Sequence, residues 1–104
     1  MNFFFEPKYS PIKIKVFLSK KNLNEAELED LYLHSKHIIL AKLIEHYLKH
    51  LDSHSDRVYF LSMVHSANRS EEIFNFISIR IRNFSFAQKF AEIEEEIISI
   101  LAKD

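Results

Sequence analysis

The clearest hydrophobic pattern lies near the C-terminus, where Phe86, Phe90, Ile93, Ile97 and Ile100 recur at alternating steps of four and three. Such spacing draws one apolar seam along a helix, and Glu92, Glu95, Glu96 and Ser99 fall on the other side. Ser85 followed three residues later by Gln88 is a capping-box pattern, and Lys103 stands where a helix dipole favours a cation. The spacing predicts a helix over 86–102. A seam stepping by four and three is also what a coiled-coil partner reads, so self-association belongs among the expectations.

A second capping-box pattern, Asn24 with Glu27, predicts a helix from Glu25, with Leu23 placed to staple onto Leu28. Its apolar face then changes. At ~100° per residue, Leu28, Leu31 and Tyr32 share one side, whereas Leu40, Ile44, Tyr47, Leu48 and Leu51 lie nearly opposite. A straight helix with one buried stripe does not serve both groups, so the pattern predicts either a break near His34–His37 or a middle buried on two sides. Asp52 and Ser53 end this stretch, Ser53 with Asp56 caps a short helix carrying Val58, Tyr59, Leu61 and Val64, and Asn68 with Glu71 marks a further start.

Two segments read both ways. Ile12, Ile14 and Val16 alternate with Lys13 and Lys15, and Ile77, Ile79 and Ile81 alternate with Ser78, Arg80 and Arg82, a period-two pattern rich in β-branched residues. Against strands stand Ser10 and Pro11, a good N-cap and first-turn pair, and an apolar pattern from Ile73 that also winds as a helix. Two short strands alone make a marginal sheet. The expected fold is therefore all-α, a compact bundle of four or five helices within one domain over 1–104. The alternative is α+β, with a small two-stranded sheet from 11–18 and 76–82.

Composition narrows the chemistry more than the fold. The 104 residues include no glycine, although average usage of about 7% is ordinary. Phosphate-cradling glycine loops, the dinucleotide-binding fingerprint and the glycine-flanked nucleophile turn are thereby excluded. Zero cysteine removes disulfides, thiolate nucleophiles and cysteine zinc sites. Apolar residues make up 47% of the chain, with ten Phe and four Tyr, enough for a packed core. A net charge of −1 gives no whole-molecule attraction to nucleic acid. The apolar run Met1–Phe5 is cut by Glu6, Pro7 and Lys8, and no run approaches the ~18 residues of a membrane span. A cytoplasmic protein with no cofactor is expected.

Six histidines raise the question of a metal. His46 and His50 stand at i, i+4, with His54 four further on, and His34 and His37 stand at i, i+3. Yet Glu45 precedes His46 and Tyr47 follows it, which is not the metalloprotease order, and the pair shares a polar arc with Lys42, Glu45 and Lys49. A solvated face is the simpler account, and His65 reads as a helix-end residue. The Glu92–Glu96 cluster occupies mainly the solvent side of its helix, and no serine has an elbow context, so no catalytic residues are assigned and no enzyme is expected.

The segment 1–21 remains the main functional candidate. It carries Lys8, Lys13, Lys15, Lys20 and Lys21 against Glu6 alone, interleaved with Phe3, Phe4, Phe5, Tyr9 and Phe17, while Arg80 and Arg82 form a second basic spot. The bland account is that the aromatics close the core and the lysines are its wet rim. The functional account assigns partner binding to Phe3, Phe4, Phe5, Lys13, Lys15, Lys20, Lys21, Arg80 and Arg82. The leading expectation is a non-catalytic protein-interaction module, such as an accessory subunit, adaptor or inhibitor that occupies a partner's surface. A nucleic-acid-binding module ranks second and a histidine metal site third. Charge placement discriminates the first two: clustering on one folded face favours nucleic acid, and dispersal favours a protein.

Overall fold

The structure, a computed structural model, describes residues 3–6, 8–66, 70–83 and 85–103. It is an all-α bundle of five helices among the described residues: α1 (Ile12–Ser19), α2 (Glu25–His50), α3 (His54–His65), α4 (Ser70–Arg80) and α5 (Phe86–Ala102). No strand occurs among them, so the two-stranded alternative over 11–18 and 76–82 is set aside. The reason lies in which isoleucines are buried. Ile14 and Leu18, four apart, are enclosed while Ile12 and Val16 face out; Ile77 is enclosed while Ile79 is 79% exposed. Burial follows the helical period, and the period-two alternation is incidental. No helix among the described residues is long and apolar enough to cross a membrane.

Helix starts follow the capping chemistry with one exception. At α2 the Glu27 N–H donates to Asn24 Oδ1 (2.8 Å) and the Asn24 N–H to Glu27 Oε1 (3.2 Å), a complete capping box. Ser53 and Ser85 each accept one backbone N–H, from Asp56 and Gln88, at 3.4 Å. The proposed start at Asn68 lies outside the described residues. The exception is α1, whose cap position is held by Pro11, one residue later than the Ser10–Pro11 pairing implies, with no side-chain cap of its own and no acidic residue in its first turn. The Glu94 carboxylate supplies the missing acceptor from α5, taking the Ile14 N–H at 3.1 Å. That contact explains why Glu94 is buried inside a run otherwise read as solvent-facing. At the far end of α2, Arg57 Nε donates to the carbonyls of Leu48 (3.3 Å) and Leu51 (2.8 Å).

The change of face in α2 requires no break, because the helix is continuous for 26 residues. Its buried row is Ser35, Ile39, Leu43, Tyr47 and then Leu51 just beyond its end, each four residues from the last. Every step of four overshoots a turn by about 40°, so the row winds around the helix and joins the half-buried Leu28, Leu31 and Tyr32 to the group that seemed to oppose them. Two-sided burial is unnecessary, and Leu33 and Ile38 stay exposed. Ser35 enters this apolar row by donating its hydroxyl to the Leu31 carbonyl at 2.8 Å.

α1 packs against α2 and α5, α2 against α5, and α3 joins α4 and α2. An aromatic knot binds these groups. Phe4 lies 6.3 Å from Phe60 of α3, 6.1 Å from Phe74 of α4 and 6.0 Å from Phe86 of α5, ring centroid to centroid. Tyr9 packs on Phe74, Phe86 and Phe90, and Tyr47 of α2 reaches Phe60 and Phe86. The seam of α5 holds as predicted through Phe86, Phe90, Ile93 and Ile97, all turned inward, but Ile100 is 55% exposed. The seam is therefore spent on the chain's own core and is not presented to a second helix.

Candidate functional site

Two surfaces carry candidate residues: the outward face of α1, and a cleft between the C-terminal half of α2 and the start of α5.

On α1, burying Ile14 and Leu18 turns the rest of the helix outward. Ile12 is 63% and Val16 47% exposed, one turn apart. Lys13 and Lys20 flank that pair on one side and Lys15 on the other, at the ~100° spacing of a helix. All four lysines assigned here, Lys13, Lys15, Lys20 and Lys21, are exposed. Three of them lean on neighbours: Lys13 Nζ is 3.4 Å from Glu95, Lys15 lies over the Tyr32 ring at 5.6 Å, and Lys21 over Phe17 at 5.0 Å. Solvent-exposed contacts of this kind contribute at most about 1 kcal/mol and leave the ammonium groups accessible.

The phenylalanines assigned with them divide. Phe4 and Phe5 are 1% and 0% exposed and belong to the core, so their assignment to a partner surface is corrected: the bundle needs their rings where three helices meet. Phe3 is half-buried, edge-on to His37 at 5.2 Å with Lys36 4.9 Å from its ring. The two arginines also separate. Arg80 stacks on Phe76 at 3.8 Å, pairs with Asp56 at 3.2 Å and donates to the Phe76 carbonyl, so it is engaged in holding α4 to α3. Arg82 is exposed and lines the cleft.

That cleft has a volume of about 230 Å³ and is walled by His46 and His50 from α2, by Arg82 from the turn after α4, and by Gln88, Lys89 and Glu92 from α5. A smaller hollow of about 150 Å³ continues from it past Lys42 and Lys49. The His46 and His50 rings are 4.5 Å apart, and His50 Nδ1 lies 2.8 Å from the His46 carbonyl, so that nitrogen carries the donated proton. Partial burial pushes the His46 pKa below its usual value, and the charges of Lys89, His50 and Lys49 push the same way against the opposing pull of Glu92. The cations in the wall outnumber the carboxylates, Arg82 and Lys89 against Glu92, although Lys89 is 3.7 Å from that carboxylate.

No protein-family model, no curated protein and no solved structure matches this chain.

Among the described residues, no three or more histidine and carboxylate side chains converge as a metal-ligand group. The acidic run of α5 also divides: Glu94 caps α1, while Glu95 and Glu96 pair with Lys13 and Lys42 at 3.4 and 3.1 Å. The shared polar arc predicts a solvated face for His46 and His50, whereas His46 is half-buried and both line the cleft. Gln88 is legible as a capping residue and Lys89 not at all, because only tertiary packing places their turn of α5 opposite those histidines.

Proposed function

We propose that this protein is a non-catalytic interaction module that binds another protein through the outward face of α1. The observation that carries the reading is the exposed pair Ile12 and Val16, set between Lys13, Lys15 and Lys20. Fully burying an aliphatic side chain of this size stabilises by about 1.5–3 kcal/mol, so a partner that covers both gains substantially. The lysines around the pair favour a partner whose rim is acidic, and they act more on the rate of encounter than on final affinity.

The placement of charge supports a protein over a nucleic acid. Lysines and arginines pair with carboxylates over much of the fold, Lys13 with Glu95, Lys36 with Glu6, Lys42 with Glu96 and Arg80 with Asp56, and the basic cluster left at α1, Lys15, Lys20 and Lys21, is small. Tracking a phosphate backbone calls for an unopposed basic stripe. A photo-crosslinking amino acid placed at Val16, with one at the exposed Ile79 as control, tests the proposal in cells. The expected result is a discrete protein adduct from position 16 that survives nuclease treatment and is lost on Ile12→Glu. Adducts that vanish with nuclease would transfer the reading to nucleic acid.

A further inference from the structure

The cleft between α2 and α5 has the chemistry of an anion site, and it lies apart from the face of α1. We infer that it binds a small phosphorylated molecule through its phosphoryl group, held by Arg82 and Lys89 with the His46 ring as a further N–H donor. Three observations converge on that ligand. The walls bring one guanidinium, one ammonium and two imidazoles from three separate segments to a single hollow. A guanidinium offers a planar fork that matches two phosphate oxygens, and an ammonium adds a compact charge. Ser85, the N-cap of α5, and Gln88, in its first turn, are also in the wall, and the positive dipole end of that helix adds to the same charge. The volume of about 230 Å³ falls below the ~300 Å³ where drug-sized sites begin, which suits a phosphoryl group with a short organic remainder.

The charges around His46 define how the site responds to protons. From α2 it is faced by Lys42, Lys49 and His50, with Glu45 beside it, from α5 by Lys89, Glu92 and Glu96, and from the turn after α4 by Arg82. In the empty cleft burial first, and the neighbouring cations second, disfavour its protonation. A phosphate dianion offsets the cations' share, so ligand binding raises the His46 midpoint. Glu92 opposes the ligand in two ways, by its own charge and by its 3.7 Å contact with Lys89. Neutralising it releases Lys89 to the ligand and removes a repulsion.

Titration of the full chain with inorganic phosphate and with a short alkyl phosphate, at constant ionic strength against chloride, tests the inference by following the histidine ring signals in NMR. The expected result is saturable movement of the His46 and His50 signals, with the His46 midpoint raised by the ligand. Arg82→Ala and Lys89→Gln should each weaken binding by about tenfold, the loss of one charge-assisted contact. Glu92→Gln should tighten it, a gain that misfolding does not produce. Stronger binding of the alkyl phosphate than of inorganic phosphate would show that the organic part is also held, and equal binding that the phosphoryl group suffices. Unsaturated shifts that match those in chloride, or binding indifferent to Arg82→Ala, would overturn the inference. Neither result bears on the α1 surface, whose variants lie on another helix.

Discussion

Replacing Phe4 with alanine tests whether the N-terminal segment is a core element or a partner surface. Phe4 is 1% exposed, and its ring meets Phe5, Phe60, Phe74 and Phe86 within 5.9–6.3 Å, so four different parts of the chain lose a shared contact. Truncating a buried phenylalanine costs about 3–5 kcal/mol, from lost transfer energy and the cavity left behind. The edge-on ring contacts lie toward the upper part of that range, since each such pair adds about 0.5–1.5 kcal/mol beyond area burial and the four overlap. A loss of about 4 kcal/mol is a large share of the roughly 5–15 kcal/mol that stabilises a domain. In a chain this size it lowers Tm by on the order of 20 °C. Urea and thermal unfolding followed by circular dichroism measure it, with Ile79→Ala as a control at a position 79% exposed. The control should stay within about 0.5 kcal/mol of the parent. If Phe4→Ala does the same, the aromatic knot is wrong and Phe4 returns to the list of surface anchors.

Three further outcomes follow from single contacts. Glu94→Ala should cost about 1–2 kcal/mol by removing the acceptor for the Ile14 N–H, while Glu95→Ala, which loses only the exposed contact to Lys13, should change chemical denaturation by less than about 0.5 kcal/mol; equal losses would refute the capping role. Ile97→Ala should destabilise by about 2–5 kcal/mol and Ile100→Ala hardly at all, an order that thermal melts would reverse if the register of α5 were displaced. His46 should titrate below ~6.5, and because the unfolded chain then takes up the proton first, the stability due to its neutral form is complete above that value and is lost as pH falls through the lowered folded one. Lys89→Gln should raise the NMR midpoint of His46, and an unmoved midpoint would contradict the share of the shift assigned to Lys89.

How far the sequence carried the fold depended on whether each signal was local. The capping residues Asn24, Ser53 and Ser85 and the seam of α5 are local, and all were legible apart from Ile100, which the seam included and the fold exposes. α1 was not, because its stabilising acceptor is Glu94, eighty residues away in the chain. Ile12, Ile14 and Val16 fit a strand and a helix equally well until the side that meets α2 and α5 is known. The winding row of α2 was half legible: its two ends were visible, but Ser35 hid the link, since a serine counts as polar in a pattern even when its hydroxyl is satisfied by the Leu31 carbonyl. At the candidate sites, lysine exposure could be anticipated from the helical period. The burial of Phe4 and Phe5 could not, because an aromatic run before a helix reads the same whether it folds back or stays out.

The absence of glycine acts differently on fold and on chemistry. Among the described residues one backbone position is left-handed, Asn83 with φ of 58°, in the turn that carries the chain from α4 into α5. Asparagine tolerates that conformation better than most residues, so the turn closes without glycine. Among the described residues the fold therefore makes little demand on the missing residue. Chemistry is more constrained. A glycine loop wraps an anion in backbone N–H groups that no substitution but proline removes. Here Arg82 precedes the left-handed residue and Lys89 stands one turn into α5, so the positive charge of the cleft is made mostly by long side chains. Such a site is tuned by carboxylates like Glu92 and screened by salt, and its strength depends on side chains that point mutations can change without disturbing the bundle beneath them.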